Sequence, residues 1–422
     1  MLTAEERQIQ SEIHGRNALR HIEKLCAFGD RFVGTEGDRK ALAYFEEHFK
    51  ALGLKPEPTP IRVPTYVDNG TEFVLTDTGT ALQPISPYFT QPSPSGVEGD
   101  LVVVGEGTEK DYEGLDVAGK IVVLVEEGLG FTHFWLGPYS ELAAERGAVG
   151  MVVIHPFPWP YRMSMEAGNI NITQRFVDRQ VPAVCISALD GLKLMRHLGE
   201  GKTRAFLRVD SSIYDVDTVI LSGVVEGSRW PDERIAVIGH RDCGYPVGAN
   251  DNGSAMGCLL ELARVFSQRR PLRSLEFICS AAEEGSAPGA WHFVQANKGR
   301  LPNMRAVINM DMFGTGGRLN LVEGGQWNDS GPIEFSPWLM EALEQAADDL
   351  GYYVGRMTAS STSEETRFIL EGVPGAWFWK PDDMYYHSAQ DTPDKIDANS
   401  LKAVADITAI TIWRLANQAV VP

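Results

Sequence analysis

Hydrophobic and polar positions follow three different patterns along this chain, and each pattern predicts a different kind of structure. Residues 4 to 52 carry apolar side chains at helical spacing, which predicts amphipathic helices that pack on a larger body. Residues from about 72 to 212 form short β-rich runs separated by Gly, Pro and Asp turns, with one predicted helix at residues 141–146. From about residue 216 onward, predicted strands alternate with predicted helices.

The alternating region indicates the fold class. Strands are predicted at residues 219–225, 235–238, 275–279 and 306–309, and helices at 254–266 and 289–296. Such alternation is typical of an α/β layer sandwich, in which polar ligands lie at strand ends and in the loops that follow them. We therefore predict a discontinuous α/β catalytic domain at residues 1–71 and 213–422, with a β-rich insert domain at residues 72–212.

Five residues near predicted strand ends and in loops form a complete ligand set for two divalent cations. They are His240, Asp251, Glu284, Asp311 and His387. Two cations about 3.5–4 Å apart need one bridging carboxylate and two further protein ligands each, with open positions for water and substrate. One bridging Asp, two His and two other carboxylates meet that need, so the sequence predicts a two-metal hydrolase site.

Neighbouring carboxylates are candidates for orienting these ligands. Asp242 follows His240 by two residues and could accept a hydrogen bond from its ring, and Asp391 could do the same for His387. The predicted ligands also have structural alternatives. Asp251 precedes an apolar helix, where an isolated Asp is most often a helix cap or part of a turn.

Composition and charge restrict the partners. The chain of 422 residues has a formal net charge of -19, which repels phosphate backbones and anionic lipid, so we expect neither a nucleic-acid nor a membrane partner. Its polar, acidic beginning lacks the apolar region of a signal peptide, which favours a cytoplasmic location. The five cysteines are odd in number and lie in apolar segments, as reduced thiols do. Cys243 is a weaker candidate ligand, because the set is complete without it.

The segments that contain the predicted ligands resemble a known family, the di-zinc aminopeptidases that also include glutamate carboxypeptidase. The matching segments cover most of residues 216–422, and they are residues 240–242, 248–254, 283–285, 309–312, 386–388 and 391–392. The resemblance implies a three-layer α/β/α sandwich with a mixed central sheet. It also implies one metal at His240, Asp311 and bridging Asp251, and the other at Asp251, Glu284 and His387.

The same resemblance assigns roles in catalysis. It makes Glu283 the general base and Tyr386 a candidate donor to the oxyanion, and it implies two zinc ions, with manganese or cobalt as alternatives. The predicted reaction is removal of an N-terminal residue from a small peptide. Residues 111–115, 117–123, 141–150 and 181–184 resemble a protease-associated (PA) domain, which implies that the insert covers the active-site cleft.

Two features separate this chain from the family pattern. Residues 363–368 read Ser-Glu-Glu-Thr-Arg-Phe, where many relatives have Ser followed by Asp and another polar residue, so the substrate preference does not transfer. The insert also carries many aromatic side chains, which either pack in its core or form a lid over the metals. They are Phe131, His133, Phe134, Trp135, Tyr139, Phe157, Trp159 and Tyr161.

Other functions remain open at this point. A non-peptide amidohydrolase or an aryl-amine hydrolase acting on a small aromatic substrate would use the same metal site. A cyclase-like relative with one metal would have lost a ligand, and a non-catalytic scaffold like the transferrin receptor would lack ligands or base. This sequence retains both, which favours an enzyme. It does not determine whether the chain forms a homo-oligomer.

Overall fold

The computed structural model describes residues 1–128, 135–166, 179–285, 287–327, 331–359, 363–380 and 383–422. Phe131, His133 and Phe134, which belong to the aromatic group of the insert, lie outside these described residues. Among the described residues, no helix combines the length and the apolar character needed to cross a membrane.

The described helices agree with the periodicity of the sequence. They are α1 (Ala4–Glu12), α2 (Gly15–Cys26), α3 (Glu36–Ala51), α4 (Gly137–Glu145), α5 (Ala188–Gly199), α6 (Gly253–Phe266), α7 (Pro288–Ala296), α8 (Pro337–Leu350), α9 (Glu365–Ile369) and α10 (Ala398–Asn417). The helical spacing in residues 4 to 52 therefore corresponds to three helices, and the predicted helices at 254–266 and 289–296 correspond to α6 and α7.

The described strands belong to one hydrogen-bonded sheet. They are β1 (Lys55–Leu75), β2 (Thr80–Ala81), β3 (Ser93–Val103), β4 (Ile121–Val125), β5 (Gly150–Ile154), β6 (Ala183–Ile186), β7 (Arg204–Val225), β8 (Trp230–His240), β9 (Arg273–Ser280), β10 (Met304–Met310), β11 (Asn320–Trp327), β12 (Gly331–Glu334), β13 (Gly355–Ala359) and β14 (Gly375–Trp379). Eleven of these strands follow one another in the order β12-β11-β14-β10-β8-β9-β7-β3-β4-β5-β6. Off this path, β1 pairs with β7 and β2, and β13 pairs with β11.

The sheet of the predicted catalytic domain is mixed, as expected. Strands β9, β8, β10 and β14 run parallel to one another, while β7 and β11 pair antiparallel to β9 and β14. Helices cover both faces of this sheet. On one face α6 is buried along almost its whole length between the sheet and α2, and a Cβ on Gly257 would lie only 2.5 Å from the Ala18 carbonyl oxygen. Gly257 thus allows these helices to pack closely.

Two long strands join the predicted catalytic domain to the predicted insert. β1 pairs antiparallel with β7 from Lys55 opposite Val224 to Leu75 opposite Ala205. The predicted domain boundaries, between residues 71 and 72 and between residues 212 and 213, lie inside these two strands. The domain division remains a prediction. In the insert, β3, β4, β5 and β6 form a parallel sheet that β7 connects to the central sheet.

Candidate metal centre

The first two candidate ligands lie at the ends of neighbouring parallel strands. His240 is the last residue of β8, and Asp311 directly follows β10, which pairs with β8. The carboxyl ends of parallel strands meet at one edge of a sheet, so these side chains are brought together by the fold itself. Nε2 of His240 lies 3.5 Å from Oδ1 of Asp311.

Asp251 occupies the position of a bridging ligand. Its Oδ1 lies 3.5 Å from Nε2 of His240, and its Oδ2 lies 3.1 Å from Nε2 of His387. The helix-cap alternative does not apply to it, because the neighbouring Asn252 is the N-cap residue of α6 and accepts a hydrogen bond from the backbone N–H of Ala255. Each carboxylate oxygen of Asp251 therefore faces a different histidine.

The remaining ligands come from two loops. Glu284 follows β9, and its Oε2 lies 2.8 Å from Nε2 of His387. Gly244 faces the same ring, where a Cβ would lie 2.4 Å from Nε2 of His387, so only glycine leaves that nitrogen accessible. The five predicted ligands thus come together in two groups, His240 with Asp251 and Asp311, and Asp251 with Glu284 and His387, whose ligand atoms all lie within 4.8 Å of one another in each group.

The unsatisfied polar atoms of this cluster fit metal ions. Nε2 of His240, Oε1 of Glu284 and Oδ1 of Asp311 are buried and have no hydrogen-bond partner in the described part of the chain. Buried polar atoms are normally paired, so three unpaired atoms in one acidic cluster need a positive partner. Two imidazoles and three carboxylates are ligands that zinc prefers. The residues therefore fit a two-metal site.

The candidate ligands shift one another's pKa values, because they are buried close together. Burial raises the pKa of Glu284 to about 7, since its charged form is desolvated beside other carboxylates. Burial alone would lower the pKa of His387, but the charges of Glu284 and Asp251 raise it to about 10. Both ligands must be deprotonated to bind a metal ion, so metal binding should depend on pH.

Asp242 contacts both groups of ligands. Nδ1 of His240 lies 3.2 Å from the backbone carbonyl oxygen of Asp242 and 3.7 Å from its Oδ1, so the ring bonds the backbone rather than the carboxylate. Oδ2 of Asp242 accepts a hydrogen bond from the backbone N–H of Glu284 at 3.1 Å. Asp242 is fully buried, so its backbone and its carboxylate fix His240 and the loop of Glu284 relative to each other.

Glu283 lies beside the cluster, where a general base is needed. Its Oε2 is 3.9 Å from Nε2 of His240, and its side chain is 19% exposed, against 2% for that of Glu284. Glu283 can therefore reach a molecule that enters from solvent. Burial of its carboxyl group and the neighbouring carboxylates raise its pKa well above the ordinary value, which suits a group that accepts a proton.

Tyr386 packs against the ligand that follows it in sequence. Its ring stacks on the ring of His387, with 3.7 Å between the centroids. Burial and the carboxylates of Asp251 and Glu284 raise the pKa of Tyr386 well above the ordinary value. Its hydroxyl group therefore stays protonated, as a hydrogen-bond donor to an oxyanion must.

The hypothesis for Asp391 is wrong. Its two carboxylate oxygens accept hydrogen bonds from the backbone N–H groups of Asn250 and Asp251, at 2.7 and 3.0 Å. Asp391 thus fixes the loop of the bridging ligand. The Nδ1 atom of His387 lies instead 2.9 Å from the backbone carbonyl oxygen of Arg162, which belongs to the predicted insert.

Sequence reasoning also missed residues in the divergent segment 363–368. The Ser363 hydroxyl group lies 3.2 Å from Oε1 of Glu283 and 3.1 Å from Oδ2 of Asp311, so it links the base to a ligand. Burial lowers the pKa of Arg367 to about 9, while the nearby charges of Glu283, Glu365 and Glu166 oppose this shift. The departure from the family pattern was the signal that this segment borders the site. Cys243 is buried but belongs to neither ligand group.

Two known families match separate parts of the chain. The model of peptidase family M28 matches residues 221–412, and the PA domain model matches residues 97–194. Among curated proteins, aminopeptidase YwaD of Bacillus subtilis is 23% identical over 414 residues, which cover 94% of this chain and 84% of that protein. Human carboxypeptidase Q is 23% identical over 432 residues, which cover 97% of this chain and 88% of that protein.

Solved structures share the fold. The peptidase M28 precursor of Shewanella amazonensis superposes with a TM-score of 0.81 at 21% identity, covering 98% of this chain and 96% of that one. The zinc aminopeptidase BSAP of Bacillus subtilis superposes with a TM-score of 0.76, also at 21% identity, covering 96% of both chains.

Proposed function

We propose that this metal-dependent hydrolase is a two-zinc aminopeptidase acting on small peptides. The match of residues 221–412 to peptidase family M28 and of residues 97–194 to the PA domain supports this proposal. The observation that carries this proposal is the position of Asp251, whose two oxygens face the two histidines. The names of the relatives support the choice of an aminopeptidase, since YwaD of Bacillus subtilis and leucine aminopeptidase 2 of Trichophyton rubrum carry that name.

Each residue of the site has a chemical task in this reaction. The metal ions would make a water molecule acidic and polarise the carbonyl group of the scissile bond. Glu283 accepts the proton of the attacking water and then delivers it to the leaving amine, as its position beside His240 allows. The hydroxyl group of Tyr386 donates a hydrogen bond to the oxygen that becomes negative.

The proposed reaction also requires a free N-terminus, because the α-amine of the substrate would be held beside the metals. Asp251, Asp311 and Glu284 serve as metal ligands in this reaction. No relative reported above is named as an amidohydrolase.

Arg367 favours a second candidate, a peptidase for dipeptides. Arg367 lies in α9, is 2% exposed, and interacts electrostatically with Glu283. A dipeptide places its carboxylate one residue beyond the scissile bond, so a guanidinium group close to the base could bind it. An aminoacyl amide has no such carboxylate.

A panel of substrates tests both candidates. Zinc-loaded protein should hydrolyse leucyl and phenylalanyl p-nitroanilide and lose at least about 90% of that activity on the N-acetylated compounds. If only N-acyl or aryl-amine compounds turned over, the chain would remain a metal-dependent hydrolase but not an aminopeptidase. If the protein is a dipeptidase, its kcat/KM for Leu-Leu should exceed that for leucinamide by about tenfold or more. Arg367→Met should abolish this difference.

We also propose that the protein acts in the cytoplasm and on small rather than folded substrates. All five cysteines are free and buried, which suits a reducing compartment. Fractionation of the source cells, with the protein detected by antibody, tests this location. Recovery in the secreted fraction would reject it.

A further inference from the structure

His387 is fixed from outside the catalytic domain. The backbone carbonyl oxygen of Arg162 lies 2.9 Å from Nδ1 of His387, and the backbone N–H of Arg162 donates to the carbonyl oxygen of His387 at 2.8 Å. Arg162 lies between β5 and β6, inside the region that matches the PA domain. A candidate ligand of one domain is thus paired twice with the backbone of another.

The contact includes the residues that precede Arg162 and His387 in sequence. We name residues 159–162 the clamp segment. The indole N–H of Trp159 donates to the carbonyl oxygen of Met384 at 3.2 Å, and its ring stacks on Tyr385 with 5.9 Å between the centroids. The clamp segment therefore contacts the His387 loop, residues 384–387, at both of its ends.

The side chain of Arg162 determines where its carbonyl group lies. Nη2 of Arg162 is 3.6 Å from Oδ2 of Asp68, and the guanidinium group packs over the rings of Tyr88 and Tyr245 at 5.4 and 4.9 Å from their centroids. The ring of Tyr88 in turn stacks on Phe32 of the N-terminal segment at 4.7 Å. This largely buried side chain therefore attaches the clamp segment to the body of the protein.

The clamp segment is also held from within the insert. The backbone N–H of Tyr161 donates to Nδ1 of His155 at 3.0 Å, and the two rings stack at 3.7 Å between centroids. The hydroxyl group of Tyr161 donates to the carboxylate of Glu126. Contacts on both sides thus leave the Arg162 carbonyl group little freedom to move.

We propose that Arg162 is a positioning residue for the metal that His387 binds. Its carbonyl oxygen holds the ring proton on Nδ1 of His387, which leaves the lone pair of Nε2 directed at Glu284 and Asp251. Partners of this kind commonly change metal affinity by about 10–100-fold. Because coupling is reciprocal, a metal bound at His387 also stabilises the docking of the insert. This inference rests on the proposed ligand role of His387.

Metal affinity tests this role without relying on catalysis. Zinc binding to metal-free protein is measured in competition with a chromophoric chelator, which yields an affinity for each of the two sites. His240→Ala and His387→Ala identify which affinity belongs to which histidine. Arg162→Ala should weaken only the site of His387, by about 10–100-fold. Arg162→Lys, which keeps the charge beside Asp68, should recover part of that loss.

Two further variants control for general destabilisation. Arg146→Ala removes an arginine that packs over Tyr112 in the same insert at 5.3 Å, and it should leave both affinities unchanged. Asp68→Asn removes the ion pair but no packing, and it should weaken the His387 site less than Arg162→Ala does. It also serves as the test if Arg162→Ala does not fold.

The outcomes separate the inference from the proposed function. If His387→Ala lowers neither affinity, the ligand assignment fails, and the proposed function fails with it. If His387→Ala lowers one affinity and Arg162→Ala and Asp68→Asn lower none, only the positioning role is rejected. Equal weakening of both sites by Arg162→Ala would also reject it, because a general loss of structure would then explain the result.

Discussion

The two halves of the metal centre are built in different ways. His240 and Asp311 lie at the ends of β8 and β10, strands that pair with each other and are flanked by β9 and β14. Glu284 and His387 lie in loops. Positive φ occurs near ligands of both halves, at +58° for Ala282 and +52° for Met312, but His387 is the only one of the five ligands that has it itself, at +48°.

The two halves differ in the contacts that hold their ligands in place. Strand ends are held by the hydrogen bonds of the whole sheet, so the first half follows from the fold. A residue other than glycine with positive φ costs about 1–3 kcal/mol and persists only where surrounding contacts impose it. In the second half, Asp242 and Arg162 supply such contacts, to Glu284 and His387. The second half should therefore be the more sensitive to changes outside the ligand set.

Glu283→Gln is expected to have the largest effect, and it should leave both halves of the site loaded. The substitution keeps the size of the side chain but removes the group that accepts the proton, so kcat should fall by about 10²–10⁴-fold. Steady-state kinetics and elemental analysis measure the two effects separately. Glu371→Gln, which alters a glutamate paired with Lys298 at 3.1 Å, is the matched control. Unchanged kcat would reject Glu283 as the base, and loss of metal would make it a ligand.

Asp242→Asn should have the next largest effect and should reach both halves. It removes the charge that faces Nδ1 of His240 and weakens the acceptor for the Glu284 backbone N–H. We expect zinc affinity at both sites to fall by about 10–100-fold in the chelator competition. Asp116→Asn, at an exposed pair with Lys120, should change neither. A loss confined to the His387 site would show that Asp242 acts only through the Glu284 loop.

The strand-end half could be predicted from the sequence because its signal is local. An apolar run that ends in His240 or Asp311 places a costly polar group at a buried strand end, and a metal ion is a common reason for this. The order of strands and helices in the catalytic domain could be predicted for the same reason. The mixed sheet and the PA domain depended on resemblance, since local patterns do not determine which strands become neighbours.

β1 could not be predicted because its composition argues against a strand. It contains Pro56, Pro58, Pro60 and Pro64, and proline is usually excluded from a sheet interior. Their even spacing places the missing N–H groups on one side of the strand, while the other side pairs with β7. The spacing of the prolines thus fits an edge strand, whereas the number of prolines alone argues against any strand.

The contacts of the loop half had no sequence signature. Arg162 lies 225 residues before His387 and pairs with it through its backbone, and any residue type can supply a carbonyl oxygen. For Asp391 the sequence offered a carboxylate near His387, but that carboxylate is taken by the N–H groups of Asn250 and Asp251. Proximity in sequence was therefore the wrong guide to the partner of this histidine.

Titration of metal-free protein with zinc tests the central claim most directly. Bound metal is counted by elemental analysis, and hydrolysis of leucyl p-nitroanilide is measured at each step. We predict that the metal-free protein is inactive, that two equivalents bind, and that Asp251→Ala weakens both, since Asp251 faces both histidines. Binding of a single equivalent, or full activity after exhaustive removal of metal, would contradict a two-metal hydrolase.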